Sequence, residues 1–307
     1  MQHTVFMFPG QGSQYVGMGK SLYENSKKCK EIFEITDQVC KTRLSKICFE
    51  GPMEELTNTE NLQPAITAVS LCYCSILEEK GITPSWCAGH SVGEYAALAA
   101  AGVIDIHDAI LLTRMRGTIM QREADLKPGS MVAIVGLPIA DVQQVIQEAS
   151  KNGNIDIANH NTAEQIVITG EKEALAAAAV IIKDKKAKSV PLKVSGAWHS
   201  RLMENGVSEF RNFMNNIKFS APKVTFISNA TARAENDPEK LKDILAGQLM
   251  KPVYWYNSMT WLINQGAQLF VEVGPGKILT GILGKILSGS ESNNEIKIIN
   301  ETNLDEL

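Results

Sequence analysis

The sequence predicts an α/β protein: a largely parallel sheet covered by helices on both faces, with a smaller α+β unit inserted into it. Three observations predict this. Short apolar runs alternate with helical patterns along most of the 307 residues, the order that builds parallel sheets. One stretch, about residues 130–195, reads β-α-β-β-α-β instead, a split βαβ unit. The run AGHSVGEYAALAAAG (88–102) sets a serine between two glycines at the join of a strand and a helix, as α/β enzymes do with a nucleophile. The expected division is a large part made of 1–128 and 196–307 and an insert of 129–195.

TVFMF (4–8) is an apolar β run stopped by the turn cluster PGQGSQ. From Tyr15 to about Lys41 the pattern is helical. QPAITAVSLCYCSILEEKG (63–81) reads as a buried helix with a glycine stop at Gly81. PSWCAGHS returns as a strand, and residues 92–101 as a helix. DIHDAILLTRMRGTIMQREAD (105–125) begins at an Asp105 cap and continues as a long amphipathic helix. In the insert, SMVAIVGL is a strand and PIADVQQVIQEAS a helix with Pro138 in its first turn. IDIANHNTAEQIVITG is two strands around a polar turn, EKEALAAAAVIIKDKK a helix, and KSVPLKVSG the last strand. Then follow a helix at about 201–215, a strand VTFISN (224–229) and two helical stretches around PVYWYN. A strand LFVEVG (269–274), a helix from about Lys277 and a short strand IKIIN complete the pattern. SGSESNNE (288–295) reads as a loop.

Composition narrows the function classes. Charged residues make up 21% and the formal net charge is −4, which argues against a nucleic-acid-binding domain with its basic stripe. No apolar stretch approaches the roughly 20 residues that span a bilayer, and MQHTVFMFPGQG has no charged n-region or small-residue cleavage site. A cytoplasmic protein is expected, monomeric, with no nucleic-acid or membrane partner. The six cysteines (Cys29, Cys40, Cys48, Cys72, Cys74, Cys87) form no C-x-x-C pair. Reduced, partly buried thiols are expected, and no metal site.

Gly89-His90-Ser91-Val92-Gly93 matches G-x-S-x-G between a strand and a helix. Such a turn strains the nucleophile's backbone, and the glycines keep neighbouring side chains from colliding. The helix behind it aims N–H groups at the site, where they favour negative charge. The bland alternative is a structural turn. A serine hydroxyl needs a base to take its proton, and there are five histidines. His3 is terminal, His90 lies within the turn and points away from Ser91, His107 starts a helix, and His160 falls in a polar hairpin turn of the insert. His199, in VSGAWHSRLM, follows a strand and opens a helix among small residues that leave room for a substrate. It is the favoured partner of Ser91. No acidic residue stands out to orient it, so that role falls to a backbone carbonyl or an amide side chain.

FPGQGSQYVGMG (8–19), NLQPAI (61–66), GHSVGEYAALAAAG (89–102), TRMRG (113–117), GAWHS (196–200) and EVGPGKILTG (272–281) together resemble the malonyl-CoA:acyl carrier protein transacylases. The resemblance covers nearly the whole chain in order. It implies an α/β-hydrolase-like large subdomain with a ferredoxin-like insert. It also implies a ping-pong reaction in which Ser91 takes malonyl from coenzyme A and passes it to the phosphopantetheine thiol of an acyl carrier protein. Free-standing members serve fatty-acid synthesis or act in trans on polyketide synthases. Carried over by motif, His199 is the general base, the backbone N–H groups of Gln11 and Val92 form the oxyanion hole, the Gln248 carbonyl orients His199, and Gln63 lines the pocket. No bound cofactor is implied; malonyl-CoA is the donor substrate.

Arg116 has its own physical case. A malonyl group carries a free carboxylate, and burying it unpaired would be prohibitive. A guanidinium offers an always-charged fork of parallel donors, and Arg116 stands where the family keeps its carboxylate-binding arginine. Arg114, on another face, reads as a surface residue. Trp198 departs from the pattern: malonyl-selective members usually carry phenylalanine just before the histidine, methylmalonyl-selective ones serine. A larger indole disfavours α-branched acyl groups, or else reshapes the pocket for another acid.

Two other readings stand beside the transferase. One is an acyl hydrolase of the same fold that edits carrier-bound chains; an editor of neutral chains has no use for a buried cation. The other is a non-catalytic docking module, which the intact set of Ser91, His199, Arg116 and Gln11 disfavours. Lys183, Lys185, Lys186 and Lys188 in IIKDKKAKS offer positive charge to an acidic carrier, and a solvated helix end accounts for them equally well.

Overall fold

The computed structural model describes residues 3–289 and 296–302. Among them nine strands form two sheets: β1 (Thr4–Phe8), β2 (Trp86–Gly89), β3 (Ser130–Val135), β4 (Ile155–Thr162), β5 (Gln165–Gly170), β6 (Lys188–Pro191), β7 (Thr225–Ile227), β8 (Leu269–Glu272) and β9 (Lys297–Ile299). The larger sheet has the order β7-β2-β1-β8-β9, and every pairing in it is parallel.

β1 is central, and its sequence explains why. All five residues of TVFMF are buried, as expected of a strand covered on both faces. Alternate side chains enter different cores. Phe6 and Phe8 pack with Leu62, Ile66 and Tyr95, whereas Val5 and Met7 pack with Trp255, Met259 and Phe270. Phe8 is level with Gly89 in the β1–β2 register. The two loops that leave these strands, PGQG and HSVG, therefore emerge side by side at the carboxyl edge, where parallel sheets place their ligands.

The smaller sheet is antiparallel, in the order β4-β5-β3-β6. Helices Ile139–Ala149 and Lys172–Asp184 back it, joined to it by a separate core of Ile134, Val145, Ile168, Ala178 and Ile182. Its outer strand is stitched to the larger part. The His160 N–H donates to Val253 O (2.9 Å), and the Val253 N–H donates to Ala158 O (2.8 Å). That seam brings the insert against the segment just after Gln248.

Several local expectations need correction. The buried helix starts at Thr59, four residues before the expected position, and carries Pro64 inside it. Proline cannot donate to the carbonyl four residues back, but the freed Glu60 carbonyl accepts from Arg114 (2.9 Å). Tyr15 to Lys41 is two helices, Lys20–Asn25 and Lys27–Cys40, because Ser26 is extended and its side chain accepts from the Cys29 N–H as an N-cap. Pro138 is the residue before its helix rather than in the first turn. Asp105 caps Ile106–Leu126 through the Asp108 N–H, as the sequence indicates. Of the expected loop at 288–295, residues 290–295 lie outside the described residues. All six cysteines are buried and free. No helix among the described residues is long and apolar enough to cross a membrane.

Candidate active site

Ser91 sits at the tip of the turn between β2 and helix Gly93–Ala100, with φ +53°. Two flanking glycines make the turn possible by absence of a side chain. A Cβ on Gly89 would fall 2.0 Å from the Gly93 carbonyl carbon, and one on Gly93 would fall 2.1 Å from Phe8 O. An alanine at either position would drive β1, β2 and the helix apart.

The Ser91 hydroxyl lies 2.8 Å from His199 Nε2. His199 Nδ1 lies 2.9 Å from Gln248 O and 3.1 Å from Lys251 O. Both are carbonyl oxygens and can only accept, so Nδ1 carries the proton and Nε2 is left to accept from Ser91. Burial, reinforced by the nearby Arg116 guanidinium, pushes the His199 imidazole down to about 3. It is a neutral base across the physiological range. His199 has φ +61°, and a short turn, Arg201–Met203, follows it.

Arg116 comes from helix Ile106–Leu126 and is 1% exposed. It donates to Gln63 Oε1 (3.0 Å), Gln248 Oε1 (2.8 Å) and Ser91 Oγ (3.2 Å). Its Nε has no partner, and its guanidinium carbon stands 5.9 Å from the Tyr95 ring centroid. Among the described residues no carboxylate pairs with it. A buried cation held by amide oxygens and a hydroxyl has the chemistry to accept an anion. Arg114, by contrast, pairs with Glu60 at 3.0 Å and is partly exposed.

The cleft over Ser91 holds a cavity of about 90 Å³ and is bordered by Gln11 and Val92 on one side. Neither backbone N–H of these two meets an acceptor among the described residues. Met120, Met131, Leu192, Val194 and Trp198 supply the apolar wall. The structure thus brings together all eight expected residues: Ser91, His199 and Gln248; Gln11 and Val92; Arg116, Trp198 and Gln63. Gln63 also donates to the Met120 sulfur (3.4 Å).

Two expectations about this neighbourhood are corrected. Gly196 does not leave room for a substrate; a Cβ there would fall 2.6 Å from the Trp198 ring and from Ala124 Cβ, so its smallness accommodates the indole. His160 lies within β4 and is buried, not in a hairpin turn, because β4 runs on to Thr162 before the chain reverses. His90 does turn away from Ser91: its Nε2 meets Asn161 Oδ1 at 3.0 Å and its ring packs against Trp255.

Sequence reasoning missed two residues. Asn229, just beyond β7, accepts the Ser91 N–H on its Oδ1 (2.7 Å) and donates its Nδ2 to Gly89 O. Glu94 accepts the Asn229 N–H (2.7 Å) and the Gln248 Nε2. Burial pushes its carboxyl up to about 8, opposed by the Asn229 N–H and the Arg116 charge. A lone charge in the otherwise apolar GEYAALAA helix was the available signal for Glu94. An asparagine at the carboxyl end of a parallel strand was the signal for Asn229. Among the described residues, the only three close-set groups that could share a metal ion are Asp105, His107 and Asp108, outside this cleft.

Comparison with known proteins agrees with this geometry. The acyl transferase domain family model matches residues 5–302. A malonyl CoA-acyl carrier protein transacylase of Bacillus subtilis is 39% identical over 288 residues, covering 93% of this chain and 91% of that protein. A polyketide biosynthesis malonyl CoA-acyl carrier protein transacylase of Bacillus velezensis is 38% identical, covering 94% and 98%. The crystal structure of an acyl-carrier-protein S-malonyltransferase from Bartonella henselae superimposes with a TM-score of 0.93 at 37% identity, covering 99% of this chain and 97% of that one.

Proposed function

The chain belongs to the acyl transferase domain family, and on that premise we propose that it moves a malonyl group from coenzyme A to the phosphopantetheine thiol of an acyl carrier protein. Its transient carrier is an ester on Ser91. The product would feed fatty-acid or polyketide assembly. One observation carries the reading: the Ser91 hydroxyl lies 2.8 Å from a neutral imidazole nitrogen and 3.2 Å from a buried guanidinium with no carboxylate partner among the described residues.

In the first half-reaction His199 Nε2 takes the Ser91 proton as Oγ attacks the thioester carbonyl carbon. The N–H groups of Gln11 and Val92 receive the oxyanion; removal of one such donor costs roughly 100- to 1,000-fold in rate. The carbon–sulfur bond breaks, and the coenzyme A sulfur takes the proton back from His199. In the second half His199 takes the proton of the carrier thiol, the sulfur attacks the serine ester, and Oγ leaves with the proton. Arg116 holds the malonyl carboxylate throughout. Trp198 narrows the acyl pocket against an α-branch. Lys183, Lys185, Lys186 and Lys188 remain a proposed carrier contact, although Lys185 already pairs with Asp141 at 3.3 Å.

The test is to mix the protein with malonyl-, methylmalonyl- and acetyl-CoA and record intact mass. The expected result is an accumulating malonyl adduct and little methylmalonyl adduct. Rapid release of free acid with no adduct would identify a hydrolase instead. Acidity supplies a second test. Because His199 is held near 3 rather than its ordinary 6.5, it stays unprotonated as pH falls through the usual histidine range. Adduct formation from acetyl-CoA is expected to be flat between about pH 5 and 7. A loss with a midpoint near the ordinary histidine value would contradict the burial argument.

A further inference from the structure

Glu94 is fully buried, and each of its carboxylate oxygens serves a different arm of the site. One accepts the Asn229 N–H (2.7 Å), and Asn229 in turn accepts the Ser91 N–H (2.7 Å). The other accepts Gln248 Nε2. The far end of the same amide, Gln248 Oε1, accepts from Arg116 (2.8 Å). Resting on the reading of Arg116 as the malonyl binder, we propose that Glu94 is a positioning residue for acyl selection. It fixes which way the Gln248 amide faces and so holds the Arg116 guanidinium beside Ser91.

The physical basis is the asymmetry of an amide. Gln248 has one accepting and one donating end. With Glu94 ionised, as it is in buffer above about pH 8, Gln248 lies between a carboxylate that can only accept and a guanidinium that can only donate. With these neighbours a single orientation satisfies both contacts. Turned over, its NH₂ would face the guanidinium donors and its oxygen would face the carboxylate. The guanidinium has few other supports: Gln63 Oε1, the Ser91 hydroxyl and the Tyr95 ring, with no partner at Nε. Placing the carboxylate one amide away also matters. When ionised, its charge favours the guanidinium through the low-dielectric interior without occupying the donors that a malonyl carboxylate needs.

Glu94→Gln is the discriminating change. It keeps the shape and an oxygen for the Asn229 N–H, and turns an NH₂ toward Gln248. That rewards the reversed amide and sets a donor against Arg116. Wild type, Glu94→Gln, Arg116→Met and the double variant are compared in alkaline buffer. Rates of serine-adduct formation from malonyl- and acetyl-CoA are measured, with thermal melting alongside. Glu94→Gln is expected to lower the malonyl-to-acetyl rate ratio by about tenfold or more. In the Arg116→Met background the same change should alter the ratio by less than about twofold, since contacts acting through one residue are not additive. The melting loss caused by Glu94→Gln should shrink in that background as well. Equal falls with both donors, an unchanged ratio, or the same melting loss in both backgrounds would overturn the proposal. If Glu94→Gln alone does not fold, a folded double variant supports the relay and an unfolded one overturns it. A wild type that forms no adduct with either donor would sink the acyl-serine reading itself, and the melting comparison would still decide the relay.

Discussion

Substituting Ser91 by alanine is expected to abolish adduct formation and to lower acyl transfer by a factor on the order of 10⁴ or more. Among the described residues, the hydroxyl is the only group in the cleft placed to be both deprotonated and acylated. It stands 2.8 Å from His199 Nε2, on a turn that presents it to the cleft. Alanine removes the attacking atom with its contacts to His199 Nε2 and Arg116, and leaves the rest of the surrounding network in place. The Ser91 N–H still reaches Asn229, and His199 still reaches the Gln248 and Lys251 carbonyls. The fold should therefore persist while chemistry stops. Thermal melting close to wild type, with no adduct by intact mass, is the expected pair of results. An adduct persisting on the alanine variant would move the nucleophile elsewhere.

Arg116→Met is expected to change which acyl group reacts rather than whether one does. A malonyl carboxylate entering this apolar-walled cleft without its guanidinium would be a buried, unpaired charge. Losing one partner of such a pair costs about 3–5 kcal/mol, which is roughly 100- to 1,000-fold or more in malonyl kcat/KM. Acetyl carries no carboxylate and forgoes nothing there. Its rate should fall far less, so acetyl overtakes malonyl. Part of the cost appears in the free protein too, because Gln63 Oε1 and Gln248 Oε1 lose their donor, at about 1–3 kcal/mol for each buried acceptor left unmade. Some loss of melting temperature is therefore expected. The donor ratio separates that general loss from the specific one. Parallel decreases with both donors would remove Arg116 from acyl selection.

Much of this site was legible because its chemistry rests on local signals. The glycines around Ser91 announce a turn that tolerates no side chains, and collisions at Gly89 and Gly93 bear that out. His199 could be found by setting aside the other histidines, although His160 proved to be a buried strand residue rather than a turn residue. The strand and helix order of the insert followed from periodicity alone. What could not be read depends on contacts between distant parts of the chain. Glu94 meets Asn229 across 135 positions and Gln248 across 154, and no local pattern links them. Pro64 marks a helix start by local rules, yet the helix begins earlier because Arg114, fifty positions on, satisfies the carbonyl that proline frees. Gly196 looked like space for a ligand and is closed by the Trp198 ring and by Ala124 from the distant helix Ile106–Leu126. In each case the missing information was the identity of a tertiary neighbour.

The most direct test is a pulse and chase. The protein is charged with malonyl-CoA, freed of excess donor and digested, to locate the acyl group. A parallel sample receives phosphopantetheinylated acyl carrier protein. A malonyl ester on the peptide bearing Ser91, stable alone and passed to the carrier thiol when carrier is added, is the predicted result. No ester at that serine, or one lost to water at the same rate with and without carrier, would contradict it.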